Sequence, residues 1–212
     1  LKFYNRLMDS LNKLVDLGQF MDVEPAEETP KPPLEPDSAA ADLPQPRRER
    51  CSIADLPVSH ATLPNGRQIK LLKSVLTSAC ERNCNYCAFR SGRDFRRLTF
   101  SPEEMAQSFM RLFNGGVVEG IFLSSGVAGG GIRTQDKLLA TAEILRKKLN
   151  FRGYLHLKVM PGSQHAQVEQ AMKLADRVSV NLEAPTTASL ARLAPQKIFL
   201  EELLQPLRWI DE

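Results

Sequence analysis

The stretch Lys70-Leu-Leu-Lys-Ser-Val-Leu-Thr-Ser-Ala-Cys80-Glu-Arg-Asn-Cys84-Asn-Tyr-Cys87 decides how the whole chain is read. Its first half is apolar and β-branched, and the turn Pro64-Asn65-Gly66 stands before it, so a first strand is predicted over Ile69–Thr77. Its second half leaves three residues and then two between cysteines, immediately after that strand. Thiolates are soft ligands suited to iron-sulfur centres, whereas a structural zinc ion normally takes four protein ligands in a tetrahedron. Cys80, Cys84 and Cys87 have no fourth ligand close by in sequence, so a 4Fe-4S cube on these three would keep one iron open to a substrate-like ligand.

Outward from the cysteines, short apolar runs alternate with amphipathic stretches, the pattern of repeated β-α units around a parallel sheet. A helix is predicted from Ser101, an N-cap, through Pro102 at its first position and Glu104 in the capping-box place, to Gly115-Gly116. The second strand is Gly120–Ser124, followed by the glycine loop 125–131 and a helix capped by Thr134 and running to Leu149. The third strand is Gly153–Met160, then a helix around Ala166–Ala175, the fourth strand Arg177–Leu182, and helices beginning near Thr187 and Leu200. These make about four β-α units, too few to close a barrel, so further strands are expected in the complete protein.

Two strands carry polar residues at a period of two. His156 and Lys158 share one face of the third strand, opposite Leu155, Leu157 and Val159. Ser179, Asn181 and Glu183 share one face of the fourth, opposite Val178, Val180 and Leu182. If the polar face is the barrel interior, Lys158 is a candidate for a carboxylate or substrate contact, because an unpaired charge there is expensive. For His156 a satisfied core or surface position is an equal reading, and a solvent-facing edge is the alternative for the fourth strand.

The 212 residues carry a net charge of +3, so no strong overall field draws in a polyanion. No run approaches the roughly 20 apolar residues of a membrane span, and the start LKFYNRLMDSLNKL lacks a signal peptide's pattern. Residues 1–21 read as an amphipathic helix, 22–50 as a Pro-rich disordered linker and 51–212 as the N-terminal part of a core domain. Both ends look cut, so a fragment is expected. Clustered thiols suit a reducing, cytoplasmic compartment. Cys51, alone beside the linker, reads as a free thiol.

The alternatives for the cysteines are a zinc module completed by Cys51, His60, His156 or His165, and an electron-transfer site closed by Cys51. The loop Ser124-Ser125-Gly126 also reads as a plain βα turn. Arg90, Arg93, Asp94, Arg96 and Arg97 either steer an anion, balance cluster charge or form a solvated loop.

Three cysteines at this spacing with an aromatic residue, Tyr86, before the last resemble the defining motif of the radical S-adenosylmethionine superfamily. The resemblance implies a partial TIM-type (β/α) radical SAM barrel, a 4Fe-4S cluster, and S-adenosylmethionine bound at the open iron through its amino and carboxylate groups. An electron from a separate donor then gives a 5'-deoxyadenosyl radical that abstracts hydrogen. It further implies that Tyr86, Ser124, Ser125, Gly126, Lys158, Asn181 and Glu183 contact cofactor or substrate, although Ser124-Ser125-Gly126 lacks the glutamate common in that tract. The segments VEGIFLSSGV, GYLHLKVMPG and ADRVSVNLEAPTTASLARLAP, with the cysteine region, are most similar to DNA modification or repair radical proteins associated with uracil-DNA glycosylase. That similarity makes DNA an expected substrate class. A non-catalytic iron-sulfur or zinc module, or an inactive fragment, is the competing function.

Overall fold

Apolar residues on both faces of the strand before the cysteines require cover on both sides. In the computed structural model, which describes residues 2–21 (side chains from 9 to 18), 55–63 and 65–212, they receive it. Strand β2, Gln68–Val75, is flanked by β1, Val58–Thr62, and β3, Gly120–Ser124. Beyond these lie β4, Tyr154–Lys158, and β5, Arg177–Ser179, giving the order β1-β2-β3-β4-β5. The β1-β2 pair is antiparallel and the rest are parallel. The architecture is mixed α/β with four parallel β-α units, part of a barrel in plan.

The register explains which residues meet. Phe122 lies opposite His156, and Lys158 opposite Ser179, so these side chains share one face across three strands. Leu72, Ile121, Leu123, Leu155 and Leu157 go to the other face, each at most 1% exposed, beneath the helices. Burial of each such side chain contributes about 1.5–3 kcal/mol, so this layer holds the sheet to its helices.

Helix α2, Pro102–Asn114, begins where the sequence placed it: Ser101 accepts from the Glu104 N–H at 3.1 Å, and Pro102 opens the first turn. Its buried face carries Met105, Ala106, Phe109 and Leu112, and Phe109 meets Phe151 edge-on with ring centroids 4.9 Å apart. Helix α1, Lys2–Met21, buries Leu14 and Leu17, and its Lys13 and Ser10 both donate to the Glu104 carboxylate at 2.8 Å. The sequence reading of residues 22–50 as a linker, and Cys51, lie outside the described residues.

Several boundaries differ from the sequence reading; β4, for one, ends at Lys158 rather than Met160. The turn at Asn65-Gly66, with Gly66 at φ 80°, closes a hairpin rather than introducing the first strand, because the polar-looking Val58–Thr62 pairs along β2. Strand β2 stops at Val75, where the chain bends to exchange backbone bonds with residues 98–100: Phe100 N–H donates to the Leu76 carbonyl at 2.9 Å.

Helix α3, Gly131–Glu143, starts three residues before Thr134, whose hydroxyl instead donates back to the Gly130 carbonyl at 2.8 Å. A glycine is required at 131 because a Cβ there would stand 1.9 Å from the Pro161 carbonyl oxygen. The helix finishes in a π-helical turn, Ile144–Lys148. Helix α4, His165–Leu174, leads to β5, which ends at Ser179 rather than Leu182. Glu183 then takes φ 64°, a left-handed conformation no strand accommodates. Helix α5, Thr187–Leu193, is capped by Thr186, and a π-helical turn at Phe199–Leu204 runs into α6, Gln205–Asp211. No helix among the described residues is long and apolar enough to cross a membrane.

Candidate functional site

Parallel strands end together, so the loops after β2, β3, β4 and β5 gather at one end of the sheet. There they enclose a cavity of about 390 Å³, within the range of small-molecule sites. Its walls include Cys80, Cys84, Tyr86 and Cys87 from the loop after β2, Ser124, Ser125 and Gly126 from β3 and its loop, Lys158 from β4, and Asn181 and Glu183 from the segment after β5. The three clustered cysteines and the seven residues assigned by resemblance to cofactor or substrate therefore border one space, which the alternative zinc ligands His60 and His165 do not. His156, on the same strand as Lys158, does not. It is 1% exposed, packs edge-on against Phe122 at 4.7 Å and shares a hydrogen bond with Ser179 at 2.8 Å. Burial, and then the positive charges of Arg177 and Lys158, pull its pKa down to about 3, so it is a neutral core residue.

The cysteine loop is shaped by its own backbone. The Cys80 sulfur accepts from the Arg82 N–H at 3.4 Å, and the Cys87 sulfur from the Phe89 N–H at 3.3 Å. None of the three is in a disulfide, and Cys84 is the buried one. Burial pushes the Cys84 thiol up; Lys197 pulls it back, while Glu183 and Cys80 add to the rise. Among the described residues no three His, Cys, Asp or Glu side chains converge on a point where one ion would be held.

The glycine loop is clamped to the cysteine loop. Glu81 accepts from the Gly129 and Gly130 N–H groups at 3.1 and 3.3 Å, and its own N–H donates to the Val127 carbonyl at 2.8 Å. A Cβ on Gly126 would lie 2.3 Å from the Ala79 carbonyl oxygen, so glycine is needed here for close passage of two chain segments as well as for access to the cavity.

On the far wall, the strap from residue 183 to 204 covers the cysteines, a contribution the sequence did not reveal. Lys197 donates to Glu183 at 2.6 Å with both side chains under 10% exposed. Tyr86 also hydrogen-bonds Glu183; desolvation of its hydroxyl, then that bond, push the phenol pKa well up. The Asn85 N–H donates to the Leu193 carbonyl at 2.7 Å, the Asn83 N–H to Gln196 at 3.0 Å, and Arg82 to Glu202. Leu190, Ala194 and Leu203 pack on Cys84. Lys197 carries no motif spacing; only the return of the chain after β5 brings it here, together with Glu202, the partner of Arg82.

Among solved structures, the fold is similar to the FeFe-hydrogenase maturase HydG from Carboxydothermus hydrogenoformans, with TM-score 0.56 and 20% identity over 66% of this chain and 33% of that one. It is likewise similar to methylornithine synthase (PylB), with TM-score 0.53 and 14% identity over 66% of this chain and 41% of that one. The chain thus spans between a third and about two-fifths of the length of these structures. No curated protein matches it. The family model described as the radical SAM superfamily matches residues 74–212, which contain all three clustered cysteines and all the residues that line the cavity, and the chain belongs to that superfamily.

Proposed function

We propose that this chain carries the cofactor-binding part of a radical SAM enzyme, with a 4Fe-4S cluster on Cys80, Cys84 and Cys87 and S-adenosylmethionine beside it. The observation that carries the reading is the shared cavity: three thiols from one loop, none in a disulfide, line it with the polar ends of β3, β4 and the segment after β5. The donor chemistry fits such a cluster. A single tetrahedral ion needs ligands converging on one point, whereas a cube spreads three thiolates over three corners and leaves the fourth to a non-protein ligand. When bound, the cluster supplies the one electron that cleaves S-adenosylmethionine reductively to methionine and a 5'-deoxyadenosyl radical.

The protein's part is to bind and orient. Lys158 is the cation for the methionine carboxylate, and its 6% exposure removes the competing water that would weaken that contact. Ser124, Ser125 and Gly126 offer hydroxyl and backbone groups to the amino end. Asn181 and Glu183 offer acceptors to the ribose hydroxyls, and Tyr86 holds Glu183 from the cysteine loop. An external one-electron donor is required as partner. The division into an N-terminal helix, a linker over 22–50 and a core domain from 51, together with a reducing cytoplasmic setting, belongs to the same proposal.

The test is anaerobic loading of the full chain with iron and sulfide, reduction, and chromatographic measurement of 5'-deoxyadenosine. Formation of 5'-deoxyadenosine that Cys84→Ala abolishes supports the reading; a cluster-loaded chain that leaves S-adenosylmethionine intact contradicts it. DNA as substrate is the extension that the sequence similarity supports. Binding to DNA that weakens steeply with salt is its expected signature, and equal binding to a neutral polymer at low salt removes it.

A further inference from the structure

Arg97 makes an unusual set of contacts beside the cysteine loop. Its Nη1 donates to the Ser78 carbonyl at 2.7 Å and the Phe89 carbonyl at 2.8 Å, and its Nη2 to the Arg90 carbonyl at 2.8 Å and the Arg93 carbonyl at 3.2 Å. The guanidinium also lies 3.9 Å from the Phe95 ring centroid. Ser78 precedes Cys80 and the other three acceptors follow Cys87, so one planar group ties together the two ends of the loop that carries the three clustered thiols. Only a guanidinium has enough rigidly spread donors to do this; an ammonium at the same place would satisfy fewer carbonyls.

All four bonds go to neutral carbonyls. No carboxylate among the described residues pairs with Arg97, so its charge is not cancelled locally. Burial lowers the Arg97 pKa from its ordinary value, and the anionic groups that oppose this and favour its charged form are Cys80 and Cys87. A guanidinium stays protonated at any working pH. A fixed positive charge beside thiolates favours whichever state of the bound group is more negative, and that is the reduced one.

We propose that Arg97 is a positioning residue with two separable duties: its fork closes the cysteine loop around the cluster, and its charge raises the cluster's reduction potential. This rests on the function proposed above. The loop-closing duty requires the fork, and the potential requires only the charge, so Arg97→Lys and Arg97→Met divide them.

The experiment is anaerobic reconstitution of wild-type, Arg97→Lys and Arg97→Met full-length chains, with iron and sulfide content and an EPR-monitored redox titration as readouts. Both variants are expected to take up less than half the wild-type iron. The midpoint of Arg97→Met is expected to shift to more negative potential than those of wild type and Arg97→Lys. Since the midpoint is read on whatever loaded chain forms, poor folding of a variant lowers the signal without displacing it. An Arg97→Met chain with wild-type iron content overturns the loop-closing duty. Equal midpoints for Arg97→Met and Arg97→Lys overturn the charge duty. A wild-type chain that takes up no cluster contradicts the proposed function instead, which separates the two failures.

Discussion

The Lys197 ammonium sits 2.6 Å from the Glu183 carboxylate, inside the wall of the cavity and with both side chains nearly removed from solvent. A pair so placed is no guide to net stability, because desolvation offsets much of the attraction, but breaking one side of it leaves an uncompensated buried charge. Lys197→Met is therefore expected to destabilise the protein by about 3–5 kcal/mol, measured by urea unfolding. Adding Glu183→Gln to that variant is expected to restore a good part of the loss. If the double variant is no more stable than Lys197→Met alone, the pair is not coupled as described.

Gly126 passes under the cysteine loop with no room for a methyl group, since a Cβ would sit 2.3 Å from the Ala79 carbonyl oxygen. Gly126→Ala must displace backbone rather than a flexible side-chain end, and a loss near the upper end of the roughly 1–3 kcal/mol seen for overpacked sites is expected. The same shift would move Cys80. Iron uptake measured alongside stability is expected to fall; unchanged uptake with unchanged stability would contradict the close approach.

His156 gives the fold a defined acid sensitivity. Its pKa is about 3 in the fold, through burial first and then the charges of Arg177 and Lys158, against 6.5 when unfolded. Between those values the unfolded chain binds the proton and the folded chain does not, so stability falls as pH drops from about 6.5 towards 3. One such proton contributes a slope of up to about 1.4 kcal/mol per pH unit. Urea midpoints at pH 7, 5.5 and 4 are expected to decline less steeply for His156→Gln than for wild type. Parallel declines would show that His156 is not the group responsible.

Ser101 caps α2 by accepting the Glu104 N–H at 3.1 Å. Ser101→Ala is expected to lower stability by about 1 kcal/mol, with iron uptake unchanged because α2 lies on the helical layer away from the cavity. A neutral substitution in thermal unfolding would argue against the cap.

These sites differ in how far the sequence announced them. The α2 cap was legible because its signals are local: serine, proline and glutamate at fixed offsets. Lys158 on β4 was legible because side chains alternate along a strand, so it could be placed by counting, whereas Ser124 at the end of β3 came from the resemblance of its glycine-rich tract. The counting fails beyond Ser179, where the left-handed Glu183 breaks the period; Asn181 and Glu183 reach the cavity from irregular chain, joined there by Val180. Strand β1 was missed because His60 and Ser59 mask a five-residue strand that pairing with β2 stabilises. The start of α3 is fixed by the approach of Gly131 to Pro161, thirty residues on, which no local pattern reports. The Lys197–Glu183 and Arg82–Glu202 pairs likewise exist only once the strap folds onto the cysteine loop, and the carbonyl-binding role of Arg97 only once that loop closes on itself.

Cys80, Cys84 and Cys87 are proposed to hold a 4Fe-4S cluster whose fourth iron would be left to S-adenosylmethionine. The most direct test of that proposal is the EPR spectrum of the reduced, anaerobically loaded full-length chain before and after addition of S-adenosylmethionine. A 4Fe-4S signal whose line positions change when S-adenosylmethionine is added, and which is lost in Cys84→Ala, is the expected result. A cluster signal indifferent to S-adenosylmethionine, or a chain that retains zinc and no iron, would contradict it.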